Sequence, residues 1–234
     1  MNYRRSALGP FWITLSMAIL ILTIGMVFGL LFNVSLKSYL PYLASGIVLW
    51  SFITSTLGDG CQTYLASEGL IRQMHIPYSF HTLRVIFRNT FILGHNIILL
   101  PICFLVLGNS PSWSMLLFIP GFILLASNLT WMSILLGLLS SRFRDMPPIV
   151  GSVLTVGFYL TPVMWDPSAI PGTTAHYLLG FNPLYHLLQI VRLPLLGLVP
   201  TSENYLLSTA LLAVGGTVTF VIFRRFKSRI PFWV

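Results

Sequence analysis

Six stretches of the chain are apolar for long enough to cross a bilayer, and short polar segments separate them. A crossing helix needs about 20 mostly apolar residues to span about 30 Å of hydrocarbon. The stretch 13–32 meets this without a single charge. Runs at 40–57, 85–107, 115–139, 149–165 and 205–223 follow. The second is shorter and ends at Gly58 and Asp59, and the third carries Arg88, His95 and Asn96. This pattern predicts an all-α integral membrane protein, a single transmembrane domain over residues 1–234 with six transmembrane helices. The first run is too long for the apolar part of a cleavable signal peptide, and no small-residue cleavage site follows it.

Residues 166–204 fit this scheme less simply. The stretch 178–198 is oily enough for a seventh crossing, yet it contains Pro183, His186, Gln189, Arg192 and Pro194. A crossing there would bury a charge in lipid and would move the basic segment 224–229 to the opposite side. The expectation is a broken re-entrant hairpin between spans five and six, interrupted at Asn182-Pro183 and again at Pro194. Irregular backbone is tolerated at membrane depth only against protein or a water-filled cavity, so such a hairpin lines something.

Composition agrees with a membrane class. Hydrophobic residues make up 56% of the chain and charged ones 8%, and the mean hydropathy is +0.85, too little polar surface to coat a soluble globule. The net charge of +8 does not point to nucleic acid, because the basic residues fall in short bursts between apolar runs rather than on one solvated face. Their distribution sets orientation instead. With six crossings, Arg4, Arg5, Arg72, Arg84, Arg88, Arg142, Arg144, Arg224, Arg225, Lys227 and Arg229 share the side of the termini, while Lys37 and Arg192 lie opposite. The positive-inside rule makes the termini cytoplasmic. Arg142 and Arg144 then end span four, where cations suit the helix dipole, and the carboxylate of Asp145 is expected to cap the helix that opens with Met146, Pro147 and Pro148.

The cytoplasmic connection 59–84 is the longest on its side. Tyr64, Leu65, Leu70, Ile71 and Met74 recur at helical spacing, and Glu68 and Arg72 form an i, i+4 pair, which predicts an amphipathic helix ending before Pro77. Two roles fit it: lying on the lipid interface, or docking into a partner.

Catalytic chemistry is thin. The chain has no G-x-x-x-x-G-K-[ST] phosphate loop, no pair of acids on an apolar span and no H-E-x-x-H spacing among its five histidines, so no catalytic or metal site is expected. An acyltransferase-like site would need a His, Asp or Glu cluster near one leaflet, and a secondary transporter would show alike halves; neither pattern appears. His95, beside Asn96, reads as a satisfied structural histidine for want of a partner at membrane depth. Cys61 and Cys103 read as packing residues. Gly25 and Gly29 form a G-x-x-x-G that lets helices approach closely.

Five motifs in order, YRRSALGPFWITLS at 3–16, GLIRQMHIP with LRVIFRN and HN at 69–96, SRFRD at 141–145, FYLTPVMW at 158–165 and NPLYHLLQIVRLPLLG at 182–197, span nearly the whole chain. Together they resemble the membrane subunit of ABC-2 type polysaccharide exporters, nearest the O-antigen permeases of the Wzm type, with capsule and teichoic-acid permeases as relatives and lipid or drug exporters of the same class as the rival reading. The resemblance implies six spans, a homodimer, and two copies of a separate P-loop ATPase that carries the ATP and magnesium, this chain binding no cofactor. It further implies the bacterial inner membrane, a channel at the dimer interface for a glycan on undecaprenyl pyrophosphate, and a periplasmic gate at 166–204 marked by Asn182 and Pro183. It assigns Glu68, Ile71, Arg72 and Met74 to ATPase coupling. Family members usually carry an amphipathic interface segment ahead of YRRS, where this chain has only Met1 and Asn2.

Aromatic faces stack on the C–H faces of pyranose rings with little selectivity, which makes Phe158, Tyr159, Trp165 and Trp131 the expected sugar path. Trp165 also suits the interfacial aromatic belt. Arg4 and Arg5, before the helix break at Gly9-Pro10, are placed either to meet a lipid pyrophosphate or simply to anchor the inner surface. Asp145 and Arg142 complete the expected gate and cap set.

Overall fold

The computed structural model describes residues 11–31, 34–74, 76–108, 112–167 and 177–234. Its regular secondary structure over these residues is all helical, and five helical stretches are long and apolar enough to cross a membrane: Phe11–Leu31, Leu36–Gln62, Tyr78–Leu107, Trp113–Arg142 and Ser202–Trp233. The chain is a multi-pass membrane protein.

Helix α1 (Phe11–Leu31) lies at the periphery and buries only Ile21, Gly25 and Gly29. The G-x-x-x-G pair serves the fold itself, since Gly25 faces Leu40 and Leu43 and Gly29 faces Leu36 of the next helix. That helix, α2 (Leu36–Gln62), is the centre of the protein, buried along most of its length and contacted by α1, by the third and fourth crossings and by two shorter helices. It runs past the expected stop at Gly58 and Asp59. The Asp59 carboxylate accepts from Arg88 and, at 2.8 Å, from Asn89 Nδ2, so this charge is paired rather than a terminator.

After a 3₁₀ turn at Leu65–Ser67 comes the six-residue α3 (Glu68–Gln73). The third crossing starts earlier than expected, at Tyr78, and is kinked. Helix α4 (Tyr78–Asn96) stops and α5 (Leu99–Leu107) restarts two residues later, because Pro101 cannot donate to the carbonyl of Ile97 and its ring crowds it. Helix α6 (Phe118–Arg142) packs on α2 through small residues. A Cβ on Gly60 would lie 2.7 Å from Ser133 Oγ, and one on Gly137 would lie 3.0 Å from the Gly60 carbonyl oxygen. Lipid offers helices no hydrophobic drive to associate, so contacts this close supply the attraction through dispersion.

The fifth apolar run differs most from expectation. Helix α7 (Met146–Leu160) has 15 residues, only about 22 Å at 1.5 Å per residue, and stops five residues before the expected end. Thr161 is extended, with φ −90° and ψ 135°, as the residue before a proline prefers. At the other end, the Asp145 side chain makes no capping hydrogen bond. A cap accepts from the N–H groups two and three residues on, and those residues are Pro147 and Pro148, which have none. The expected cap is therefore absent on elementary grounds.

Residues 177–180 form a helical turn, and α8 (Pro183–Leu195) follows. The break at Asn182-Pro183 is present as expected, with Asn182 Oδ1 accepting from the amides of Leu184 and Tyr185 at 3.0 and 3.2 Å. The second break falls after Pro194, at Gly197, which adopts φ +79°. Helix α9 (Ser202–Phe226) is capped by Thr201, and the short α10 (Ile230–Trp233) follows a 3₁₀ turn.

Candidate functional site

Two regions bring the sequence-marked residues together, one along α2 and α7 and one around α3.

The first is an open groove of about 370 Å³ between α2 and α7, lined by Trp50, Thr54, Gly58, Gly151, Thr155, Phe158 and Tyr159 among others. Its size falls within the roughly 300–1,000 Å³ usual for small-molecule sites. Aromatic rings form one wall: Trp50 and Phe158 have centroids 5.9 Å apart, and Phe158 meets Tyr159 edge-on at 5.4 Å. Tyr159 is 66% exposed, so its face is free to receive a ring. The threonines add hydroxyls on helical turns, Thr155 donating to the Gly151 carbonyl at 2.9 Å and Thr54 to that of Trp50 at 3.0 Å. The groove is thus an aromatic wall with polar spots and no formal charge.

Behind it, the turn 161–165 is braced from two helices, α2 and α8. Arg192 of α8 is 0% exposed and donates to the carbonyls of Pro162 at 2.6 Å, Tyr42 at 2.7 Å and Val163 at 3.2 Å. Tyr42 donates its hydroxyl to the carbonyl of Trp165 at 2.8 Å, Tyr39 to that of Met164 at 2.9 Å, and Asn182 Nδ2 to Thr161 Oγ1 at 2.9 Å. A helix that ends inside a membrane protein leaves carbonyls without partners, and these side chains supply them. The sequence counted Arg192 as a charge on the outer side; in the fold it is a buried donor set. An arginine between Val191 and Leu193 in an apolar run was the available signal, since such residues pair with backbone carbonyls.

The predicted sugar-path residues divide. Phe158 and Tyr159 line the groove, and Trp165 adjoins it, donating Nε1 to the Tyr159 carbonyl at 3.1 Å. Trp131 does not join them. Its indole donates to Asn128 Oδ1 at 3.1 Å and fills the space over Gly215 of α9, where any Cβ would collide with it. Trp50, which the pattern passed over inside the second run, takes its place. His95 bonds the Phe91 carbonyl of its own helix through Nδ1 at 2.9 Å. Arg4 and Arg5 lie outside the described residues.

The second region is the arm 64–74. The expected continuous amphipathic helix is broken into a 3₁₀ turn and α3. The Glu68–Arg72 pair is present at 2.9 Å. Ile71 packs inward on a cluster formed by Tyr64, Leu138, Ile230 and Val234, whereas Met74, expected on the same face, is extended and 53% exposed. Burial pushes the Tyr64 phenol up to about 12, so it stays a neutral hydroxyl. Arg142 contacts aromatic rings rather than acids, lying 5.5 Å from the Phe143 ring centroid and 5.4 Å from that of Trp233.

A family model described as ABC-2 type transporter matches residues 1–196. The chain is similar to the O-antigen export system permease protein RfbA of Myxococcus xanthus, 26% identical over 193 residues that cover 80% of this chain and 72% of that protein. It is also similar to two proteins of the same name from Klebsiella pneumoniae, at 23% over 184 residues and 26% over 188, each match covering 78% of this chain and 71% of the relative.

Proposed function

We propose that this chain, which belongs to the ABC-2 type transporter family and is a transport subunit without an ATPase domain of its own, exports a polysaccharide carried on a lipid pyrophosphate. The substrate class is O-antigen-like, and the carrier is undecaprenyl pyrophosphate. The similarity to O-antigen export permeases supports the class. The observation that carries the reading is the groove wall of Trp50, Phe158 and Tyr159. Aromatic faces bind successive sugars by stacking without fixing their identity, and the lack of charge lets a polymer slide.

In this reading α7 and the braced turn make a sixth, short crossing, and residues 166–204 form the re-entrant gate on the outer side. Both termini then lie in the cytoplasm of a cell whose inner membrane holds the protein, as the charge distribution supports. Membership of the family implies pairing with an ABC ATPase. Two permease copies and two ATPase copies make the exporter, ATP and magnesium stay on the ATPase, and the arm 64–74 receives it. Arg4 and Arg5 are assigned to contact with the lipid pyrophosphate, from the sequence alone.

The test is transport in vesicles holding the permease and its ATPase, supplied with lipid-linked glycan. Tyr159→Ala should insert normally and export several-fold less, as loss of about 1–3 kcal/mol of stacking per ring implies, and Tyr159→Trp should retain export. Unchanged export for Tyr159→Ala and Phe158→Ala together would remove the groove from the path.

A further inference from the structure

Residues Ile230 to Val234 pack where the arm 64–74, the end of α6 and the end of α9 converge. Ile230 and Val234 are buried against Tyr64 and Leu138, with Ile71 and Trp233 completing the cluster. Arg72 of the arm donates to the backbone oxygen of Val234 at 2.7 Å, and Arg144 to that of Trp233 at 3.4 Å. This short segment is therefore bonded to the arm on one side and to the SRFRD turn on the other. Within so well packed a turn, Phe232 alone points outward and is 87% exposed. A large ring left in the open beside buried neighbours is how an anchor for a partner is presented.

We propose that Ile230–Val234 is the second half of the surface that receives the ATPase subunit, with Phe232 seated in an apolar socket of that subunit bordered by acidic side chains. The proposal rests on the reading that the arm 64–74 docks the ATPase, and two observations commit it to that partner. The first is continuity: the Arg72 bond to Val234 makes the arm and the segment one surface. The second is charge. Arg142 and Arg144 contact Trp233, Lys227 and Arg229 immediately precede the segment, and none has a carboxylate partner among the described residues, so an acidic rim on the incoming subunit completes them. Trp233 is a positioning residue here, holding the turn while Phe232 makes the contact.

The experiment titrates the ATPase subunit onto the full-length permease in nanodiscs and compares Phe232→Ser, Phe232→Leu and Met74→Glu with the parent. Phe232 is 87% exposed and belongs to no buried cluster, so its variants should retain the folded permease, checked by thermal unfolding of the permease alone. Phe232→Ser should weaken association at least about tenfold, as expected on losing a central anchor, with Phe232→Leu recovering most of it and Met74→Glu also weakening it. Weakening by Met74→Glu with Phe232→Ser unchanged overturns the proposal, leaves arm docking in place and assigns Phe232 to the lipid interface. Weakening by Phe232→Ser alone overturns the shared surface. If neither variant matters, the docking reading fails and the proposal falls with it.

Discussion

The Arg192 guanidinium lies 3.3 Å from the centroid of the Tyr42 ring and donates to the carbonyl oxygen of that same residue at 2.7 Å. One tyrosine is thus gripped by its ring face and its backbone, while its hydroxyl reaches across to the Trp165 carbonyl. The cation is stabilised by π charge and by carbonyl dipoles.

Removing either member should loosen the turn behind the groove. Arg192→Met leaves buried carbonyls without donors, at about 1–3 kcal/mol for each group left unpaired. Tyr42→Phe removes only the hydroxyl bonds and should cost less. Unfolding of the purified protein in detergent checks the order, and equal stability of Arg192→Met and the parent would contradict the brace.

Asp145→Asn should do almost nothing to stability, within about 0.5 kcal/mol as for a surface change away from specific contacts. The carboxylate bonds none of the first-turn amides, and the two that it could reach belong to prolines. The same unfolding assay tests this, and a loss of the size typical for a removed cap, about 0.5–2 kcal/mol, would show that the side chain is engaged after all.

Trp131→Phe should leave glycan export intact while lowering stability, because the indole packs on Gly215 and bonds Asn128 rather than lining the groove. Parallel transport and unfolding measurements on Trp131→Phe and Tyr159→Ala should therefore separate in opposite directions.

Orientation has its own assay. With Cys61 and Cys103 replaced, a cysteine at Ser228 should be shielded from an impermeant thiol reagent in intact cells and one at Ser112 should react, as the asymmetry of basic residues requires. Both positions are exposed in the fold, so shielding would report the membrane and not burial.

The helices were legible in the sequence wherever apolar length alone decides, as for α1 and α9. Several misjudged features sit at prolines, Thr161 before Pro162, the break ahead of Pro101 and the missing cap at Pro147 and Pro148, all of which local stereochemistry contains, whereas the end of α2 was missed because Asp59 is paired. The Glu68–Arg72 pair was legible because i, i+4 contact is a property of the helix alone. Arg192 and Trp131 were not, since apolar periodicity tells that a side chain is inside without telling which neighbour it meets. Trp50 was hidden for the same reason, and the segment 230–234 carried no pattern until Arg72 was seen to reach it.

The contact of Gly60 and Gly137 leaves no gap between α2 and α6 into which either could slide. Backbones that touch cannot ratchet past one another without meeting the Ser133 side chain on one side and the Tyr64 ring on the other. Mechanically the two helices form a single beam, with the arm 64–74 as its handle. If the ATPase docks on that arm as proposed, its stroke acts on both helices together, and at their far end Tyr39 and Tyr42 hold the turn beside the groove.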